Sequence, residues 1–153
     1  MKKLFVLLSI AFVFFMCSQP KSGDAAAEDS TTPPATQSET SADIPGLVKE
    51  VTLNNPLNED MIAKGQGIYD MKCSACHKLT DQRVVGPGWK GVTSKRKPEW
   101  IMNMITNVDV MLEKDSEAQK LLAECLTRMP NQNVTQDDAR NILEFMFKND
   151  QAQ

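Results

Sequence analysis

Residues 44–153 are predicted to fold as an all-α domain. Apolar side chains recur there at helical spacing in four separate segments, and no stretch alternates apolar and polar residues as a half-buried strand would. Residues that favour helix starts stand ahead of those segments, while glycine and proline gather between 79 and 97, where a loop is expected. Aromatic residues make up only 6% of the chain, so about four modest helices would enclose a thin core. Something besides side chains should fill the middle.

The elements follow in order. Asn58 can cap a first helix running through about Lys72, with Met61, Ile62, Ile68 and Tyr69 on or near one face. Pro98 suits a first helical position, and Trp100, Ile101, Met104 and Ile105 follow at helical spacing. Ser116 with Gln119 reads as a capping box for a helix over 117–127, in which Ala118, Leu121, Leu122, Cys125 and Leu126 share one face. Thr135 with Asp138 begins a last helix carrying Ile142, Leu143, Phe145 and Met146.

The N-terminal part follows different physics. Lys2 and Lys3 precede an apolar run from Leu4 to Met16, which is shorter than the about 20 residues a membrane-spanning helix needs. Residues 1–16 therefore read as an export signal. The run stops at Cys17, in the manner of a bacterial lipoprotein signal whose cysteine is lipidated; an uncleaved short membrane anchor is the alternative. Residues 17–43 hold the anchor site and a linker poor in apolar residues, with a net charge of −4 over 18–43 and no aromatic side chain. Such a segment cannot bury enough surface to offset its chain entropy. As a random coil it would reach roughly 30 Å. Both readings of the terminus place the domain outside the cytoplasm, on a tether, and the expected location is periplasmic.

Composition excludes several classes. A formal charge of −3 and the lack of a long basic run argue against a nucleic-acid protein. One histidine in the whole chain rules out an H-E-x-x-H zinc site and a haem held by two of the chain's own histidines. Cysteines stand at 17, 73, 76 and 125, too few and too uneven for a disulfide scaffold.

Cys73-Ser74-Ala75-Cys76-His77 carries the chemistry. C-x-x-C-H is the attachment motif for c-type haem. At the end of a helix its residues lie within about one turn, so two thiols and an imidazole can approach one macrocycle. The thiols form thioethers with the vinyl groups, and His77 lies beneath the iron as an axial ligand. A redox C-x-x-C would want a βαβ context, a zinc site would want further Cys or His at metal spacing, and a disulfide across two residues leaves His77 unexplained.

At this point the folded part resembles a class I cytochrome c. The resemblance rests on Gly65 and Tyr69, eight and four residues before Cys73, on Ile142 and Phe145 in the last helix, and on Gly86-Pro87 after the motif, followed by Gly88, Trp89 and Gly91. It implies a class I cytochrome c fold around one covalent haem c, with Gly65 permitting a close crossing of the first and last helices. It also implies that the Pro87 carbonyl accepts a hydrogen bond from His77 and that Gly86, Pro87 and Trp89 line the haem pocket. The family places its sixth iron ligand in a loop before the last helix. Met129, followed by Pro130, stands there; Met111, read as lying between helical segments, is the second choice. Cys125 is expected to be a buried, inert thiol.

Charge is uneven. Residues 64–97 carry a net +6 and residues 98–153 a net −5, which predicts a positive rim near the haem that would steer acidic redox partners. The function implied is one-electron transfer by a monomeric, membrane-tethered carrier, not an enzyme, between a redox donor and acceptor such as a terminal oxidase or an anaerobic reductase. A haem-based gas or redox sensor, or the electron-entry domain of a reductase or peroxidase complex, is the alternative.

Overall fold

A computed structural model describes residues 44–153. The export signal at 1–16, the linker at 17–43 and Cys17 lie outside the described residues. Within them are six helices: α1 (Glu59–Lys72), α2 (Val92–Lys95), α3 (Pro98–Thr106), α4 (Val108–Lys114), α5 (Ser116–Cys125) and α6 (Gln136–Gln151). The one β contact among the described residues is an isolated antiparallel bridge between His77 and Arg83. None of these helices is long and apolar enough to cross a membrane.

Local chemistry explains most of the helix starts. The Asn58 side chain accepts from the Met61 amide and the Thr135 side chain from the Asp138 amide, each satisfying an N–H that the helix itself leaves open. Pro98 opens α3, where its missing N–H costs nothing. At α5 the predicted box is one residue out. Asp115, not Ser116, is the cap, accepting from Ala118 N at 2.8 Å. The Asp115 carboxylate also takes the Trp100 indole N–H at 3.0 Å, a tertiary bond that favours it over its neighbour.

Two helices exceed the predicted count. The short α4 holds Val108, Met111 and Leu112 inward, too brief a run to display a period. Met111 therefore lies within a helix, fully buried, and not between helices. The four-residue α2 is held from outside, by Asp150 of α6. Its carboxylate accepts from Gly91 N at 2.7 Å, Thr93 N at 3.0 Å and Thr93 Oγ1 at 2.6 Å. Helix α5 stops at Cys125, and the left-handed Leu126 (φ 56°) turns its side chain 88% exposed into solvent. Leu126 thus leaves the apolar face on which it was expected.

The main helix pair is α1 against α6. A Cβ at Gly65 would fall on the Asn141 carbonyl and lie 3.0 Å from Ile142 Cα; only glycine allows this crossing. Around it lies a first core of Ile62, Tyr69, Trp89, Ile101, Met102, Ile142, Leu143, Phe145 and Met146. A second, smaller core gathers Val108, Met111, Leu112 and Ala118 under Leu47, with Met129 partly buried against it.

Residues 44–57 have no helix, yet side chains of α3 and α6 pin them. Asn103 brackets Val48, accepting from its N–H at 2.8 Å and donating to its carbonyl at 2.9 Å. Glu99 accepts from Val51 N, Arg140 donates to the Thr52 carbonyl, and Glu144 accepts from Asn54 Nδ2 at 2.6 Å. Glu144 is fully buried and ion-paired with Arg140.

Candidate functional site

Helix α1 delivers the motif. Its C-terminal backbone closes with Cys73 N and Ser74 N both donating to the Tyr69 carbonyl, at 2.9 and 3.0 Å. A further turn forms as Cys76 N and His77 N donate to the Cys73 carbonyl. The two thiols are therefore about one turn apart, as the spacing implied. Both are free and half-buried. Burial pushes the Cys73 thiol up to about 11, opposed by nearby Lys72 and reinforced by Cys76.

The loop after the motif folds back onto it. Gly86 N donates to the Cys76 carbonyl at 3.0 Å and Trp89 N to the Lys78 carbonyl at 2.8 Å. These bonds bring the Pro87 carbonyl 2.8 Å from His77 Nδ1. A backbone carbonyl can only accept, so Nδ1 carries the proton, and Nε2 is left with the lone pair a metal needs. Burial pushes the imidazole below its usual range, and the Pro87 bond opposes that shift.

Glycine at 86 has a direct cause. A Cβ there would strike the His77 ring, lying 2.8 Å from Nδ1 and 3.0 Å from Nε2. At Gly88 it would meet the Thr80 carbonyl and stand 2.9 Å from Asp81 Cα. Trp89 is buried and lies 5.5 Å from the His77 ring and 5.0 Å from Tyr69, which in turn lies 5.5 Å from Phe145. Trp89 is thus part of the core and packs beside the His77 ring.

One contributor escaped the sequence reading. The Tyr69 hydroxyl donates to the His77 carbonyl at 2.7 Å, so the residue read only as helix packing also fixes the backbone of the motif. A tyrosine where packing needs only a ring was the available signal, since a buried hydroxyl wants a partner.

Cys73, Cys76, His77, Gly86, Pro87 and Trp89 are therefore brought together. Met129 lies in the segment between α5 and α6, half-buried against the second core. Cys125 departs from expectation. It is half-exposed at the end of α5, and its Sγ accepts from Arg83 Nη2 at 3.3 Å. The end of a helix, unlike its middle, leaves its last side chain at the rim. Among the described residues no group of three His, Cys, Asp or Glu side chains is placed to hold a metal ion.

This donor set fits covalent haem. It offers two unpaired thiols one turn apart, an imidazole with Nε2 free and Nδ1 braced, and a glycine that leaves the ring room. Val84 and Val85 lie 49% and 43% exposed in the same loop, apolar surface of the kind a macrocycle edge covers.

Comparison with known proteins agrees. The family model described as Cytochrome c matches residues 62–149. No curated protein matches the chain. Among solved structures, the cytochrome c of Rhodothermus marinus superposes with a TM-score of 0.68 at 31% identity, covering 71% of this chain and 92% of that one. An engineered form of that protein, Rma TDE, gives 0.66 at 30% identity, over 69% and 91%. The same engineered protein bound to a carbene intermediate gives 0.64 at 31% identity, over 69% and 91%. With the helical fold of the described residues, the braced C-x-x-C-H segment and these matches together, the chain belongs to the cytochrome c family, as a class I monohaem cytochrome carrying covalent haem c.

Proposed function

We propose that this chain is a one-electron carrier, tethered to a membrane through a lipid on Cys17 and working outside the cytoplasm between respiratory redox proteins. The observation that carries the reading is the His77 Nδ1 to Pro87 carbonyl contact at 2.8 Å inside a C-x-x-C-H turn. Haem c supplies, when bound, an iron centre that accepts and releases one electron.

The chain's own residues do the rest. Cys73 and Cys76 hold the group covalently. His77 would hold the iron through Nε2, its ring angle fixed by Pro87, by the clearance at Gly86 and by Trp89. Met129 would supply the sixth ligand. Iron held by two protein ligands would leave no open position for a substrate, which suits a carrier better than a substrate-binding enzyme. Lys64, Lys72, Arg83, Lys90, Lys95 and Lys97 are all exposed around this segment, which supports encounter with acidic partners such as a terminal oxidase or an anaerobic reductase.

Visible spectra of the purified holoprotein test the assignment. Low-spin ferric iron with a methionine-to-iron charge-transfer band, lost in Met129→Ala, and no response of the reduced protein to carbon monoxide, is the expected result. High-spin iron or ready carbon monoxide binding would refute a closed site. Labelling cells with a radioactive fatty acid, in parent and Cys17→Ala, tests the tether.

A further inference from the structure

The segment from Leu126 to Asn133 carries Met129, yet it forms no regular element. Leu126 N donates to the Leu122 carbonyl as the end of α5. Beyond that its internal bonds are local: Gln132 Nε2 to the Pro130 carbonyl and Asn133 N to Asn131 Oδ1. Three cations fix it further, one from within the segment and two from outside it. Arg128 reaches Asp109 of α4 at 2.8 Å. The other two come from either side of the haem-attachment turn.

Lys72 is the last residue of α1, immediately before Cys73, and its Nζ donates to the Gln132 carbonyl at 3.0 Å. Arg83 pairs with His77 in the isolated β bridge. Its Nη2 lies 3.3 Å from Cys125 Sγ and 3.7 Å from Glu124 Oε2, at the root of the same segment. One tie therefore holds the end of α5, where the Met129 segment leaves it, and the other holds the segment itself behind the methionine. Both originate within six residues of His77.

We propose that Lys72 and Arg83 are positioning residues for the sixth iron ligand, holding the Met129 segment against the haem-attachment segment from both ends. The inference rests on Met129 being that ligand. An untied loop must lose chain entropy each time its methionine binds iron; a loop already tied at two points has lost part of it. Loosening the ties therefore shifts the equilibrium from Met129 toward any competing ligand. Each contact is solvent-exposed, so each contributes modestly, and the two act at separate points and should combine nearly multiplicatively.

The test is imidazole titration of the ferric holoprotein, following loss of the methionine-to-iron band in the parent, Lys72→Ala, Arg83→Ala and the double variant. Imidazole should bind about threefold more tightly in each single variant and about tenfold in the double, the range a modest exposed tie allows. Lys72→Arg and Arg83→Lys, which keep charge and donor, should return affinity toward the parent. Affinity unchanged in the double variant, with the band present in the parent, would overturn the proposal. A band missing from the parent, or surviving in Met129→Ala, would instead overturn the Met129 assignment beneath it. Both lysine and arginine are exposed, and thermal midpoints recorded alongside separate loss of fold from loss of ligand control.

Discussion

His77 shows how much one residue's chemistry depends on neighbours without reactive groups. Its protonated Nδ1 is set by a proline carbonyl, and its ring has room only because position 86 lacks a Cβ. Gly86→Ala should push the ring off Pro87, costing about 1–3 kcal/mol as overpacking does, and read as a lower thermal midpoint with a changed ferric spin state. Gly65 and Gly67 make a sharper pair. An alanine at 65 collides with the backbone of Asn141 and Ile142, whereas one at 67 meets nothing within 4 Å. Urea denaturation should show Gly65→Ala destabilised by about 1–3 kcal/mol. Gly67→Ala, in the same helix, should gain about 0.5–1 kcal/mol from its lower unfolded-state entropy. Gly65 and Gly86 were legible from spacing within a family pattern. The hydroxyl of Tyr69 was not, because its acceptor is a backbone carbonyl whose position the turn after α1 decides.

At the scale of elements, helices with a local start were readable and helices with a tertiary start were not. Asn58, Pro98 and Thr135 act through atoms within three residues of themselves. The cap at α5 fell to Asp115 because Trp100 also needs an acceptor, and α2 exists because Asp150 arrives from α6. The strap at 44–57 belongs with these, since Asn103, Glu99, Arg140 and Glu144 hold it from far along the chain. Glu144→Ala would take from half-buried Arg140 its ion pair and release Asn54, a loss of about 1–3 kcal/mol measurable by denaturant unfolding. Asn58→Ala should cost only about 1 kcal/mol. Glu117 supplies a pH test. Hydrogen bonds from Lys120 and then Arg96 hold its carboxyl below the ordinary 4.5. The folded chain thus binds that proton less readily than the unfolded chain. Its stabilisation is present above the ordinary value and lost as pH falls through the lowered one. Unfolding midpoints between about pH 7 and about pH 3 should therefore drop less in Glu117→Gln than in the parent.

Across the whole molecule, the balance of charge divides along the chain, basic over 64–97 and acidic over 98–153. If the basic exposed residues meet acidic partners, reduction rates should fall as salt rises and the Debye length shrinks from about 10 Å at 0.1 M. Stopped-flow reduction by an acidic redox protein, compared with a neutral small reductant, measures this. Equal salt response for both would remove the electrostatic encounter.

The cofactor chemistry, the helical class and the starts of α1, α3 and α6 are written in the sequence, because each depends on residues one or two turns apart. Cys73, Cys76 and His77 reach one macrocycle through the geometry of a single turn, and caps act within three positions. Tertiary packing set the rest: Met111 is spent in a buried helix, Cys125 meets Arg83 at a rim, and side chains of α3 and α6 hold the strap. Those outcomes turn on contacts between residues 40 to 90 positions apart, such as Arg83 with Cys125 and Asn54 with Glu144. No local period or spacing encodes such pairs; they form when packing of the apolar faces brings distant segments together.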